Sequence, residues 1–310
     1  MDRHTSIKRI SKFIVLFVAL LFSITATAKD LLILLSEDQS IHNEMATIIL
    51  RETNLSGSIQ VYHEDSLPNS DSEALLIIAI GTRACDRVIE KYSSTEIVIC
   101  TLIPAQTYRA LLTKHKKTEA HEKRLTAIFM DQPISRQIAL ARLVFPDARS
   151  IGTVFGQTSV LQRYDFEQYA EKENFETHHA FLDQSQNPVQ ILTPVIQRSD
   201  IFLAIPDNAN FNRSVSRWAL YISLRNKVPL IGFSPSYSEA GAVISLYSTP
   251  KQLAYQTSDI VLNYLVNHKL APASYPLKYE TIINESTART LRMNLQNSQY
   301  LSEQLKEIHK

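Results

Sequence analysis

The sequence predicts an α/β fold in two lobes, each a parallel sheet flanked by helices. Two observations carry this. Short, nearly continuous apolar runs alternate with stretches of helical spacing, and the alternation occurs twice along the chain in the same order. Apolar runs too short for a helix read as strands covered on both faces, and strands separated by helices imply βαβ units with parallel pairing.

In the first half the strands are LLILL (31–35), SIQVY (58–62), LLIIAIG (75–81), EIVIC (96–100) and TAIFM (126–130), with helical spacing in HNEMATIILRET and ACDRVIEKY. The plan restarts with strand SIGTVFG (150–156), helix VLQRYDFEQYAEKE, strand THHAFL, helix PVQILTPVIQR, strand DIFLAIP, helix RSVSRWALYISLRNK and strand VPLIGFS. Trp218, mid-helix beside Leu220 and Ile222, reads as core. After AVISLYS (242–248) come a helix from Pro250 to about Val266, the strand-like KYETIIN and the helix STARTLRMNL. The chain is therefore expected to cross between lobes near Asp131–Pro133, near Tyr247–Pro250 and near 270–278. The resulting division is a leader at 1–28, a first lobe at 29–131 to which 250–270 returns, a second lobe at 132–248 to which 278–295 returns, and a polar tail at 296–310.

The loops repeat as well: SEDQS corresponds to GQTS, GTRA to PDNAN, and TLIPAQ to FSPSYS. Open α/β sheets bind ligands beyond the carboxyl ends of their strands, where helix N-termini present unpaired N–H groups. Of the six glycines, Gly81, Gly156 and Gly232 sit at or near such ends. If both halves turn these ends toward each other, all six loops line one cleft.

The first residues have the form of an export signal: Arg3, Lys8, Arg9 and Lys12, the apolar FIVLFVALLFSI, then Ala26-Thr27-Ala28. The apolar run is shorter than the ~20 residues of a spanning helix, so cleavage after Ala28 into the periplasm is expected, and no cysteine near the cut marks a lipid anchor. The formal net charge of +1, from 32 basic and 31 acidic residues, leaves no electrostatic footprint for nucleic acid. Cys85 and Cys100 would stand at neighbouring strand ends in an oxidising compartment, either as a disulfide or as two buried thiols.

Four segments carry a family resemblance: DQPISRQIALARLVFPDARSIGTVF, DIFLAIPDNANFNRSV, VPLIGFSPSYSEAGAVISLYSTPKQLAYQTSDIV and YETIINESTARTL. They resemble the ABC transporter substrate-binding proteins of the type that includes tryptophan and tyrosine binders, within a proteobacterial branch pairing DQP with GFSPAY and LYSTP. In the first half the resemblance rests on AIGTRA followed by IVIC. It implies a two-lobed, periplasmic-binding-protein-like fold, hinged by several crossings, that closes on a small solute. Ligand contacts carried over are Ser36 and Asp38 in the first loop; Gly81, Thr82 and Arg83; Gln157 and Thr158; Asp207 and Asn208; and Ser234 and Tyr237. Asp131 and Asn212 complete the candidate set. Gly156-Gln157 stands where many relatives have Asn-Pro, and Glu37 and Asp38 occupy the first loop, so an aromatic amino acid ligand does not carry over.

Each polar candidate has a plainer role to set beside binding. Asp207 and Asn208 either cap the helix beginning near Asn212 or meet a ligand. Arg83 pairs with a ligand carboxylate or is a solvated helix start. Tyr237 would cover an apolar face with its ring. GFSPS nearly spells the hydrolase G-x-S-x-G, but the residue after the nucleophile must donate its N–H, and Pro235 has none. HKKTEAHEKR lacks the second His that a zinc site of the H-E-x-x-H type requires, and His178 and His179 face opposite sides of a strand. No phosphate or dinucleotide loop is present, so neither catalysis, metal nor cofactor is expected. The expected partners are a small solute and an inner-membrane ABC permease, with the protein a monomer. The alternative is a sensing protein that signals to a membrane partner.

Overall fold

The structure, a computed structural model, describes residues 31–61, 76–91, 96–118, 123–207 and 213–308. The leader at 1–28 and the candidates Asn208 and Asn212 lie outside the described residues. The first half runs β1 (Leu31–Leu35), α1 (Ser40–Thr53), β2 (Gly57–Val61), β3 (Leu76–Ile80), α2 (Thr82–Lys91), β4 (Ile97–Ile103), α3 (Ala105–Lys114), β5 (Leu125–Phe129). Its five strands lie in the order β2-β1-β3-β4-β5, every pair parallel.

The second half begins with α4 (Ile134–Val144), β6 (Ser150–Phe155), a 3-10 turn (Ser159–Gln162), α5 (Arg163–Lys172) and β7 (Glu176–Phe181). It continues with α6 (Pro188–Gln197), β8 (Ile201–Leu203), α7 (Arg213–Arg225), β9 (Leu230–Gly232), α8 (Pro235–Glu239) and β10 (Ile244–Tyr247). Then come α9 (Pro250–Asn267), β11 (Glu280–Ile283), α10 (Glu285–Thr290) and α11 (Ser298–Ile308). The sheet order is β7-β6-β8-β9-β10-β11, with β11 antiparallel to β10 and the rest parallel. Without β11 it repeats the first sheet strand for strand, so the two-lobed α/β fold read from the sequence is the one found.

The apolar runs are continuous because both faces of each sheet are covered, as expected of parallel strands. In β1, Leu31, Ile33 and Leu35 pack with Met45 and Ile49 of α1 and Leu253 and Val261 of α9. Leu32 and Leu34 point the other way, onto Val88 and Ile89 of α2 and Tyr108 of α3. The second sheet is clad by α4, α5 and α11 on one side and by α6 and α7 on the other.

Two expectations need correction. Residues 298–308 are not a polar tail: Leu301 and Leu305, one helical turn apart, are buried in the second lobe's core, and Ser302 Oγ accepts from Thr281 N–H at 3.1 Å. Trp218 is not core but 41% exposed. Helix α7 turns Val215, Ala219 and Ile222 inward, which leaves Trp218 outside, edge-on to Tyr221 with centroids 6.0 Å apart.

The passages between lobes are stitched together. Gln132 Nε2 donates to Ser248 Oγ at 2.8 Å, and Arg136 Nη1 donates to Gln132 Oε1 at 2.6 Å and to the Pro276 carbonyl at 2.9 Å. Ser248 Oγ in turn donates to the Lys278 carbonyl at 2.7 Å. Residues from all three passages thus share one hydrogen-bonded cluster.

Candidate functional site

The first wall of the site forms where β1 and β3 end side by side, at the point where strand order reverses. Ser36 N–H donates to the Ile80 carbonyl and Ser36 Oγ accepts from Ala84 N–H, both at 2.9 Å, which ties the loop after β1 to the start of α2. Gly81 has φ +92°, and a Cβ there would come within 2.5 Å of Ser36 Oγ and 3.0 Å of His42 Nε2. Only glycine satisfies both the conformation and the space. Thr82 and Arg83 follow, with Arg83 paired to Glu37, whose carboxylate also accepts from Gln39.

His42 is buried, and among the described residues its Nδ1 has no hydrogen-bond partner. Burial holds its pKa below the ordinary value; Glu37 opposes the shift and Arg83 adds to it. Leu102 at the end of β4 and Met130 after β5 complete this wall.

The second wall comes from the ends of β9 and β10. Phe233 and Ser234 follow β9, and Ser234 Oγ accepts from Tyr237 N–H at 3.4 Å as the cap of α8. Pro235, Ser236 and Glu239 lie on that helix. Strand β10 ends on Tyr247 and is followed by Ser248 and Thr249, the last closing a capping box in which Thr249 Oγ1 accepts from Gln252 N–H at 3.2 Å and Gln252 Oε1 accepts from Thr249 N–H at 2.9 Å. Between the walls lies a cleft of about 820 Å³, within the size range of small-molecule sites. A second hollow of about 660 Å³, bordered by Tyr108, Lys123 and Lys269, takes its lining from the first lobe and the segment after α9.

The cleft gathers Ser36, Gly81, Thr82, Arg83 and Ser234 from the residues expected by sequence. The other described candidates have structural partners. Asp207 is buried, and its Oδ2 accepts from Thr158 N–H at 3.0 Å, Ser159 N–H at 2.7 Å and Ser159 Oγ at 2.8 Å, clamping the loop after β6 to the end of β8. Thr158 is used in that clamp, and the Gln157 side chain donates to the Asp183 carboxylate. Tyr237 is buried; its hydroxyl donates to Ser216 Oγ at 2.6 Å and its ring lies 4.6 Å behind that of Phe233. Asp38 accepts from Asn43 Nδ2 at 2.7 Å. Asp131 accepts from Ala105 N–H at 2.8 Å, at the start of α3. Cys85 and Cys100 are free, buried thiols rather than a bridge. Cys85 is turned to the Ala79 carbonyl at 3.5 Å, and burial pushes its pKa well up, so it supplies little of the thiolate that exchange requires.

A model of the family described as "ABC transporter substrate binding protein" matches residues 68–304. The chain belongs to this family. This substrate-binding protein is 23% identical over 167 residues to a tyrosine-binding protein of Clostridioides difficile (strain R20291), an alignment covering 52% of the chain and 47% of the relative. The chain thus spans about half the length of that curated relative. Its fold is shared with a ligand-free, open substrate-binding protein with adhesive properties from Clostridium difficile: TM-score 0.69, 17% identity, covering 87% of this chain and 96% of the other. It is also shared with an ABC domain in complex with L-Trp from Streptococcus pneumonia, TM-score 0.59 at 15% identity, covering 86% and 96% of the two chains.

Its family is that of the substrate-binding proteins of ABC transporters. Among the described residues no helix is long and apolar enough to cross a membrane, and no group of three His, Cys, Asp or Glu side chains is placed to hold a metal.

Sequence reasoning missed His42, Met130, Glu239 and the Tyr247–Thr249 passage as cleft residues, and it placed Leu102 and Phe233 in loops expected to line the cleft without singling them out. A signal existed for these two. Phe233 opens FSPSYS, the counterpart of TLIPAQ, and Leu102 takes the same place two residues before the proline. Both are apolar residues at the end of a covered strand.

Proposed function

We propose that the protein is exported through cleavage after Ala28, takes up a small solute between its lobes and hands it to an ABC-type importer in the inner membrane. The carrying observation is that one cleft draws its walls from the strand ends of both lobes, so a solute touching Arg83 and Ser234 together favours the closed form. Arg83 and the unpartnered Nδ1 of His42 suit an anionic or hydrogen-bonding end of the solute, and Glu37 and Glu239 suit an ammonium group. Leu102, Met130, Phe233 and Leu253 suit its apolar part. The tyrosine-binding relative and the L-Trp-bound structural neighbour support an amino acid or a similar amphipathic solute. One chain supplies both walls, so the monomer is the working unit.

The test is transport by cells lacking the gene. Natively purified protein is stripped and its released small molecules are identified by mass spectrometry; uptake of the identified solute should fall in the deletion strain and return with the full-length gene. Unchanged uptake, together with altered signalling, would transfer the same cleft to a sensor role. The N-terminal mass of exported protein should begin at Lys29, and an intact Met1 on soluble exported material would refute the cleavage.

A further inference from the structure

We propose that Leu102, held in a left-handed backbone conformation, and Phe233, its counterpart in the second lobe, form two jaws that grip an apolar body of the solute and decide which solutes are accepted. This rests on the reading of the cleft as the solute site.

Leu102 has φ +56°. Left-handed backbone is costly for a bulky side chain, and such residues persist where the surrounding structure imposes them, often at binding sites. Here the cause is a bulge: Thr101 pairs with Ile128, but Ile103 pairs with Phe129, so Leu102 is the extra residue in β4. The effect on side-chain direction is visible in the core. Ile97 and Ile99 face α1 and α9, while Val98 and Cys100 face α2 and α3. Strict alternation would put Ile103 with Ile97 and Ile99, yet it packs with Val98, Ala105 and Tyr108 on the opposite side. The extra residue has reversed the alternation and set Leu102 at the cleft wall, where its side chain is partly buried against the core on the α1 and α9 side of the sheet and lines the cleft. Met130 N–H, donating to the Ile103 carbonyl at 3.0 Å, fixes the strand beyond the bulge.

Phe233 reaches the cleft from the equivalent strand end. Strands β4 and β9 occupy the same place in their sheets, each fourth from the edge strand β2 or β7. Leu102 stands two residues before Pro104, and Phe233 two before Pro235. Phe233 is braced from behind by Tyr237, whose hydroxyl is anchored on Ser216, and Gly232 leaves Tyr237 its room, since a Cβ there would lie 2.5 Å from the Tyr237 Cβ. One jaw is thus positioned by a strained bulge and the other by a packed ring. Glycine would remove the strain at position 102 at once, so the cost of leucine there is met by the side chain it presents. The solute class that fits is one with a branched aliphatic or aromatic body.

The test uses Leu102→Gly, Leu102→Ala and Phe233→Ala in the full chain. Without solute, Leu102→Gly should melt above Leu102→Ala, because glycine adopts the left-handed conformation freely; in relaxed strand backbone the order is the reverse. Calorimetric titration with L-tyrosine, L-leucine and L-alanine keeps the polar end constant and shrinks the apolar body. Wild type should favour the best of these over L-alanine by about tenfold or more, and Leu102→Gly and Phe233→Ala should each reduce that preference to about threefold or less. An alanine variant more stable than the glycine variant, or a preference that survives both variants, would overturn the proposal. A hydrophilic solute retained alike by wild type and variants removes the jaws but leaves the solute-binding reading standing. If wild type binds none of the probes and natively purified protein carries no small molecule, solute binding itself fails, and the jaws with it.

Discussion

Asp131 shows how a single residue is tuned by its place at a passage between lobes. It is 8% exposed, and burial lifts its pKa to about 6 from an ordinary 3.8, although the bond from Ala105 N–H works against the shift. A carboxyl whose folded pKa is raised takes up its proton in the folded state first. Its favourable contribution, on the order of 3 kcal/mol, is therefore complete below pH 4 and is lost as pH rises through 6. Asp131→Asn keeps an oxygen for Ala105 N–H and cannot titrate. Denaturant unfolding at pH 4 and pH 7 should show wild type losing stability between the two and the variant staying level; parallel curves would contradict the assignment. Asp207 makes a second case. With three donors converging on one oxygen, Asp207→Ala should cost on the order of 2 kcal/mol in unfolding free energy, and a change confined to solute affinity would contradict the clamp. The sequence placed Asp207 at a strand's polar end, which holds. Its partners were hidden because they lie in the loop after β6, and only the order of strands in the sheet brings that loop alongside β8.

At the scale of elements, what could be read from the sequence was whatever depends on local periodicity. The apolar runs of β1, β3, β4, β5 and β6 became buried strands, and the repeated order became two sheets of the same topology. The cleft was half legible: the expected loops after β1, β3 and β9 line it, but in the second lobe the end of β10 joins them, while the described part of the loop after β6 is clamped by Asp207. Symmetry of element order did not carry over to symmetry of contacts. Helix α11 was hidden because its charged and polar residues outnumber Leu301 and Leu305, which are nonetheless its buried stripe. Leu305 is fully buried, so Leu305→Ala should lower unfolding free energy by about 2–5 kcal/mol, the cost of a leucine truncation in a packed core. A loss under ~0.5 kcal/mol, as for an exposed site, would return this segment to the status of a tail.

At the scale of the whole molecule, the proposed closure pivots on the cluster joining Gln132, Arg136, Ser248 and the 276–278 passage. A solute that touches both walls binds the closed arrangement better than the open one and shifts the population toward it. It also raises apparent stability, by about 2.7 kcal/mol at a hundredfold excess over its dissociation constant. Glu37, Arg83, Glu239 and Phe233 face one space from two lobes, so closure and binding are one event in this account. The most direct measurement is small-angle X-ray scattering of stripped protein before and after reloading with the solute released from it, with occupancy checked by calorimetry. The radius of gyration should fall on saturation and recover when the solute is removed. Full occupancy with an unchanged scattering curve would contradict closure of the lobes on the solute.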